Sequence, residues 1–352
     1  VTSKAIYGRG KPGMRPARRS FVIDTDTASD DAVALLQALR HPGVDVRALT
    51  IVAGNVPLEL AVRNAIITLD LAGAHDVPVF AGRASPILRT LDSAQMVHGA
   101  DGMSGADLAA PTRKQDPGHA VEALLAISRD EPHRHELVTL GPLSNIACAL
   151  LIDPELLLRF KHTYMMIGAP DGRGNVAATG EFNAWADPEA AAIVFAAPGA
   201  KTMIGWDMSR KYTVITDDED ARLRGLGKYG QFAAEINRAV RNWGINVTGI
   251  GGYDLPDPLA MAVALEPELA VETTTAHMAV STDASTRGLT YADSRLPLRE
   301  PNMRVVTAVD EAGFKRHLFT LLADECANDR QSAGFGERDG SVRASWAAVW
   351  GR

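Results

Sequence analysis

A short apolar run that ends in four acids, followed directly by an apolar helix, constrains this chain more than any other stretch. Phe21-Val-Ile23 has the length and composition of a buried strand. Asp24, Asp26, Asp30 and Asp31 then fall within eight residues, and Ala32 to Leu39 carries apolar residues on every helical face except at Gln37. Acids at the end of a strand in such a unit stand where open α/β sheets place their ligands. Carboxylates this crowded repel one another and raise each other's pKa unless a cation neutralises them. All-oxygen ligands suit a hard cation, Ca2+ or Mg2+, rather than zinc. A solvated acidic loop with a capping Asp is the ordinary alternative. The apolar elements on both sides leave it little room.

The alternation that begins here continues. Val44 to Ala53 reads as a second strand ending at Gly54-Asn55, and Pro57 to Leu71 as a helix closed by Gly73. Further strands are expected at Val77 to Ala81, His135 to Leu140, Tyr164 to Ile167 and Lys201 to Gly205. Helices are expected at His119 to Ile127, at Leu143 to Leu151 and after Asp187-Pro188, where proline suits the first helical position. Val97 to Gly105 is too rich in glycine for a regular element and reads as a loop. Beyond residue 210 come helices, strand-rich parts near Ala270 to Val280 and Asn302 to Val309, and a closing helix from Glu311 to about Ala327. Strands alternating with helices at this spacing predict an α/β fold with an open, mostly parallel sheet flanked by helices. No repeat or clean linker interrupts it. We therefore read 1–20 as a basic arm, 21–327 as a single domain, and 328–352 as a polar tail carrying Trp346 and Trp350.

A net charge of -7 argues against a nucleic-acid partner. The only cysteines, Cys148 and Cys326, lack zinc-ligand spacing and predict no disulfide framework. No apolar run is long enough to span a membrane, and no apolar segment follows the basic start as in a secretory signal. A cytoplasmic enzyme is the expectation.

Several polar groups fall just after expected strands, on the edge that bears the acids: Asn55, His98, the Leu140-Gly141-Pro142 turn, Asn175, Glu181-Phe182-Asn183 and Asp257. Singly, each has a plain explanation. Asn55 suits a turn, His98 packing, Asp187 a helix cap, and Asp257 a cap before a helical run. Their joint placement at strand ends suits a polyhydroxylated ligand such as a sugar.

The blocks Asp24-Thr-Asp-Thr-Ala-Ser-Asp-Asp31, Val52-Ala-Gly-Asn55, Val97-His-Gly-Ala-Asp-Gly102 and Leu140-Gly-Pro-Leu-Ser-Asn-Ile-Ala147 resemble those of the inosine-uridine type nucleoside hydrolases, in the family's order. Gly174-Asn175, Gly180-Glu-Phe-Asn-Ala-Trp-Ala-Asp-Pro-Glu-Ala190 and Pro256-Asp-Pro-Leu-Ala260 extend the likeness to about residue 270. The resemblance implies a Ca2+ held by Asp26, Asp31, Asp257 and the carbonyl of Leu140. It implies that Asp30, Asn55, Asn175, Glu181 and Asn183 hold the ribose, with Asp24 behind its neighbours. It further implies hydrolysis of the N-glycosidic bond of ribonucleosides; purine nucleosides are our own expectation, and departures from the family's pattern bear on which base is preferred. Water enters opposite the base, Asp26 takes its proton, and carboxylates and amide oxygens, Asn183 included, stabilise an oxocarbenium-like transition state. Family members are usually dimers or tetramers.

One departure bears on the leaving group. The family commonly has a histidine before the last metal Asp; here Pro256 stands there and cannot donate a proton. Stacking on Trp243, Tyr253 or Trp185, or a relay through His98, would have to replace it. The glycine-rich stretch from Trp243 to Tyr253 suggests a lid. Ile167 replaces a methionine that usually flanks the ribose, a mild exchange. Three other readings compete: a modified N-riboside as substrate, a Ca2+-dependent nucleoside sensor without turnover, and a Mg2+ phosphatase with Asp24 as nucleophile. The last leaves Asp30, Asp31 and the Glu181-Asn183 block unexplained.

Overall fold

The computed structural model describes residues 18–324. Most of the basic arm and all of the 328–352 tail, with its two tryptophans, lie outside the described residues. The chain runs β1 (Arg19–Thr25), α1 (Ser29–Arg40), β2 (Val44–Ile51), α2 (Leu58–Ala72), β3 (Val79–Ala81), α3 (Gln95–His98) and α4 (Ala120–Asp130). It continues through β4 (His135–Thr139), α5 (Ser144–Ile152), α6 (Leu156–Arg159), β5 (Thr163–Met166), α7 (Phe182–Ala186), α8 (Pro188–Ala196) and β6 (Lys201–Ile204). Helices α9 (Trp206–Tyr212), α10 (Asp217–Arg224), α11 (Lys228–Ile236), α12 (Arg238–Trp243) and α13 (Pro256–Leu265) follow. Strands β7 (Glu272–Ala276), β8 (Met278–Val280), β9 (Thr290–Ala292) and β10 (Met303–Ala308) precede the last helix, α14 (Glu311–Leu322).

Eight strands form one sheet in the order β3-β2-β1-β4-β5-β6-β10-β7. Every pairing is parallel except β10 with β7. The order runs outward from β1 in one direction through β2 and β3, and in the other through β4 to β6. The strand order therefore reverses between β1 and β4, and the crevice beyond their carboxyl ends is the place for a ligand. Strands β1, β4, β5 and β6 are buried on both faces because helices cover both, whereas β7 at the edge is polar and exposed. One core joins α1, α2, α11, α13 and α14 to the sheet, and a second packs α4, α5 and α8 on the opposite face. This is the single-domain α/β architecture that the alternation predicts.

Helix α1 is buried along its whole length, from Ser29 to Arg40. At its end the Arg40 guanidinium lies 3.7 Å from the Tyr229 ring centroid and donates to the carbonyl of Ala323 at 2.6 Å. The stretch read as a loop from Val97 differs in part. Residues Gln95–His98 form one helical turn, and a tight turn follows in which Gly99, Gly102, Ser104 and Gly105 all have positive φ. The glycines there explain why no regular pattern is visible. The expected lid stretch also has structure of its own. Gly244–Thr248 continues α12 as a π-helical turn, with Gly244 packed against the carbonyl of Gly252. Among the described residues no helix is long and apolar enough to cross a membrane.

Candidate active site

Strand β1 delivers Asp24 and the turn after it Asp26, while the first turn of α1 presents Asp30 and Asp31. Acids in a helix's first turn are favoured by its dipole, which partly offsets their crowding. Asp257 joins them from the start of α13, across the switch point. Proline at position 256 opens that helix, and Asp257 caps nothing: its carboxyl pairs with Asp31 instead. All five acids are buried.

Each acid has its own set of partners. Asp24 accepts from Thr50 Oγ1 at 2.6 Å and from Asn145 Nδ2 at 2.9 Å, both at Oδ2. Burial pushes its carboxyl up to about 7 against those two donors. Asp26 Oδ2 takes the backbone N–H of Asn55 at 2.6 Å. Asp31 accepts from Thr25 Oγ1 at 2.5 Å, from the Ala28 N–H at 2.9 Å and from Asn55 Nδ2 at 3.3 Å. Burial, then the neighbouring charges, raise Asp26 and Asp257 well above the carboxylate range and Asp30 to about 8. The Oδ1 atoms of Asp24, Asp26 and Asp30 are buried with no hydrogen-bond partner.

The glycines of two sequence blocks have their reason here. A Cβ on Gly141 would stand 2.6 Å from Asp26 Oδ1, and one on Gly54 would collide with Asp26 Oδ2 and lie 2.7 Å from Pro142 Cδ. Bare backbone lets both turns close on the carboxylate.

The other expected site residues divide. Asn183 is brought in: its Nδ2 donates to the carbonyls of Leu140 at 2.7 Å and Met166 at 3.1 Å. Glu181 is buried nearby but committed to the backbone, accepting from Gly168, Asn183 and Ala184 N–H groups as the cap of α7. Asn175 is exposed, and its Oδ1 accepts the Phe182 N–H at 2.8 Å. His98 is buried beside the acids, with Nδ1 2.9 Å from Ser29 Oγ and 3.9 Å from Asp30 Oδ1. Burial lowers it to about 4, the charge of Asp31 opposing, so the ring is neutral at neutral pH.

Of the three aromatics considered for stacking, Tyr253 is fully buried with its hydroxyl on Asp220, so it faces no ligand. Trp185 lies beneath the Arg287 guanidinium, 3.8 Å from its ring centroid. Trp243 sits half-exposed at the end of α12. Asp187 caps α8 through the Ala190 N–H, as its sequence position suggests.

Reasoning from sequence passed over several contributors. Thr50 and Asn145 fix Asp24. Asn64 in α2 donates through Nδ2 to the carbonyls of Thr27 and Asp101, joining the acid turn to the His98 turn. Asp254 accepts from Trp206 Nε1 and Ser209 Oγ close to Asp30. Asn145 lay inside a motif block, and Asp254 was an acid three residues before Asp257. Asn64, inside an ordinary amphipathic helix, gave no signal.

The acids fit a hard cation. Ligand oxygens of Asp30, Asp31 and Asp257 lie within 4.8 Å of one another. Three partnerless carboxylate oxygens in the same buried cluster would be costly without a cation or a donor. The sequence had placed Asp30 on the ribose, yet the geometry sets it inside this trio.

The family model described as "Inosine-uridine preferring nucleoside hydrolase" matches residues 21–316. The "Probable uridine nucleosidase 2" of Arabidopsis thaliana is 33% identical over 87% of this chain and 98% of its own length. The "Pyrimidine-specific ribonucleoside hydrolase RihA" of Photobacterium profundum is 34% identical over 88% of this chain and 99% of its own. Among solved structures, the "Purine-Preferring Ribonucleoside Hydrolase from Gardnerella vaginalis" superposes with a TM-score of 0.82 at 31% identity, over 88% of this chain and 99% of that one.

Proposed function

Because the chain belongs to the inosine-uridine preferring nucleoside hydrolases, which hydrolyse N-glycosidic bonds of ribonucleosides, we propose that it is a Ca2+-dependent ribonucleoside hydrolase with Asp26 as general base. The observation that carries this reading is the buried acid cluster with its three partnerless oxygens, the Oδ1 atoms of Asp24, Asp26 and Asp30. Asp30, Asp31 and Asp257 would hold the cation, with Asp26 and the free lone pair of the Leu140 carbonyl beside them. The all-oxygen donor set favours Ca2+. When bound, the cation neutralises the acids and makes a water at the site more acidic.

The chain's own groups do the rest. Two glycine turns and the Asn55 N–H hold Asp26 by one oxygen, so Oδ1 is the atom left to take a proton from water. Both N–H bonds of Asn183 Nδ2 go to backbone carbonyls, so its Oδ1 is turned over to the ligand. There it faces positive charge developing on the ribose ring, where a fixed amide dipole stabilises the transition state. Glu181 and Asn175, both bound to the segment that starts α7, shape the ribose 5′ side. His98, neutral and anchored through Ser29, can hydrogen-bond the base but holds no proton to spare at neutral pH. With Pro256 at the first position of α13, departure of the base depends on its own basicity and on stacking against Trp243. That favours purines, whose ring nitrogens are the more basic.

The test is ribose release from purine and pyrimidine ribonucleosides, before and after chelation and with Ca2+ restored. Chelator-sensitive release that Ca2+ restores supports the reading. Release that chelation leaves untouched rejects the cation's part in it, and a pyrimidine-only profile rejects the stacking argument.

A further inference from the structure

We propose that Asp254 is a substrate-binding residue whose carboxylate accepts a hydrogen bond from the 5′-hydroxyl or the base N–H of the nucleoside. The inference rests on the nucleoside hydrolase reading above and adds a contact that none of the motif blocks contains.

Asp254 hangs between the end of β6 and the start of α13. Trp206 Nε1 and Ser209 Oγ both donate to its Oδ2, each at 2.9 Å. Oδ1 takes neither bond. The backbone around it is pinned as well: the Leu255 N–H donates to Thr213 Oγ1 at 2.9 Å, and Ile215 and Tyr253 exchange backbone hydrogen bonds. Trp206 is fixed in turn, because its own N–H donates to the Gly168 carbonyl at 2.8 Å and Arg210 covers its ring. An acceptor held this firmly loses little freedom when a ligand arrives.

The placement of charge points the same way. Asp254 lies near enough to Asp30 for the two charges to interact. It is nevertheless not one of the three acids whose oxygens converge within 4.8 Å. A further negative charge beside that cluster, with no share in a cation, is unfavourable, and both of its donors are spent on Oδ2, which leaves Oδ1 to be met by another. Asp24 offers the instructive contrast. It too receives two donors at one oxygen, but it is sealed from solvent, whereas part of Asp254 stays accessible. A ligand can therefore reach Asp254 and cannot reach Asp24.

A merely structural role would be served as well by an amide. In Asp254→Asn the side-chain carbonyl can keep the bonds from Trp206 and Ser209, while an NH2 donor replaces Oδ1. The experiment compares this variant with wild type as full-length, Ca2+-loaded protein on inosine, 5′-deoxyinosine and 1-methylinosine. Expected are an unchanged melting temperature, an unchanged Ca2+ titration, and a kcat/KM on inosine lower by about ten- to a hundredfold. If that loss disappears on 5′-deoxyinosine, the donor is the 5′-hydroxyl; if it disappears on 1-methylinosine, it is the N–H of the base. A variant that matches wild type on all three substrates overturns the proposal, and so does an equal loss on all three. Should wild type release ribose from none of them, the hydrolase reading is what fails. Inosine affinity by calorimetry then decides for Asp254, and equal affinities in the two proteins overturn it.

Discussion

Gly141→Ala separates the position of Asp26 from its chemistry. A Cβ at residue 141 would stand 2.6 Å from Asp26 Oδ1, 2.9 Å from its Cγ and 3.0 Å from its backbone N, where ordinary contact begins at 3.4 Å. To relieve this the carboxylate must retreat by roughly 1 Å, and a displacement of that size at a reacting group costs on the order of a hundredfold in rate. There is little room for the retreat. The Asn55 N–H holds Oδ2 at 2.6 Å, and the Gly54 turn presses on the same oxygen. The methyl group therefore also overpacks the site, at a cost of about 1–3 kcal/mol in stability. Backbone strain plays no part, because Gly141 is not among the glycines with positive φ. Reducing-sugar assays of ribose release would give kcat and KM, and thermal melts the stability. Gly73→Ala is the control: φ is +68° with nothing within 4 Å of the new Cβ, so it should lose about 1 kcal/mol and keep its kcat. A Gly141→Ala enzyme with kcat within about threefold of wild type would refute the claim that these turns protect the place of Oδ1.

Asp26→Asn should lower kcat by about a thousandfold or more, which ribose release checks. In cation-free protein, Asp24 and Asp30 titrate at about 7 and about 8 when folded, far above their unfolded range. The folded state then holds protons that the unfolded state has released, so the stability of chelated protein should fall as pH rises through 7 to 8. Added Ca2+ should raise the melting temperature most at the alkaline end, and a chelated protein that grows more stable with pH would contradict this. Trp243→Ala should raise KM for purine nucleosides by about tenfold with the melting temperature unchanged, a loss of stacking worth about 1–1.5 kcal/mol; equal KM values would remove Trp243 from the site.

Where hydrophobic period and punctuation agree, the sequence discloses the fold. The strands β1 to β6 and the helices α1, α2, α4 and α5 each lie within a few residues of the expected bounds, because buried parallel strands and their helices are written in apolar residues, whereas the short helices α3, α6 and α7 carry no such pattern. The acid cluster was legible for a related reason: four carboxylates between two apolar elements have no solvent to escape into. Other features depend on contacts distant in sequence. Nothing local says that β10 enters the sheet between β6 and β7. Pairing of Asp257 with Asp31 rather than with its own helix end is set by how α13 crosses α1. The backbone N–H groups that Glu181 and Asn175 accept around α7 are likewise invisible in the local pattern. Tyr253 looked available among glycines and is instead core, because a hydroxyl with a partner such as Asp220 can be buried without loss.

The burial of α1 along its full length has a consequence for how this protein comes apart. Most enzymes carry their ligand groups on segments that can open locally while the rest stays folded. Here the helix that presents Asp30 and Asp31 is enclosed by core on every side and is clamped at its far end by Arg40 against Tyr229 and Ala323. The acids cannot part company without the whole body opening. Amide hydrogens at the start of α1 should therefore exchange only through global unfolding, as slowly as those of the central strands, and Ca2+ binding should slow both by the same factor.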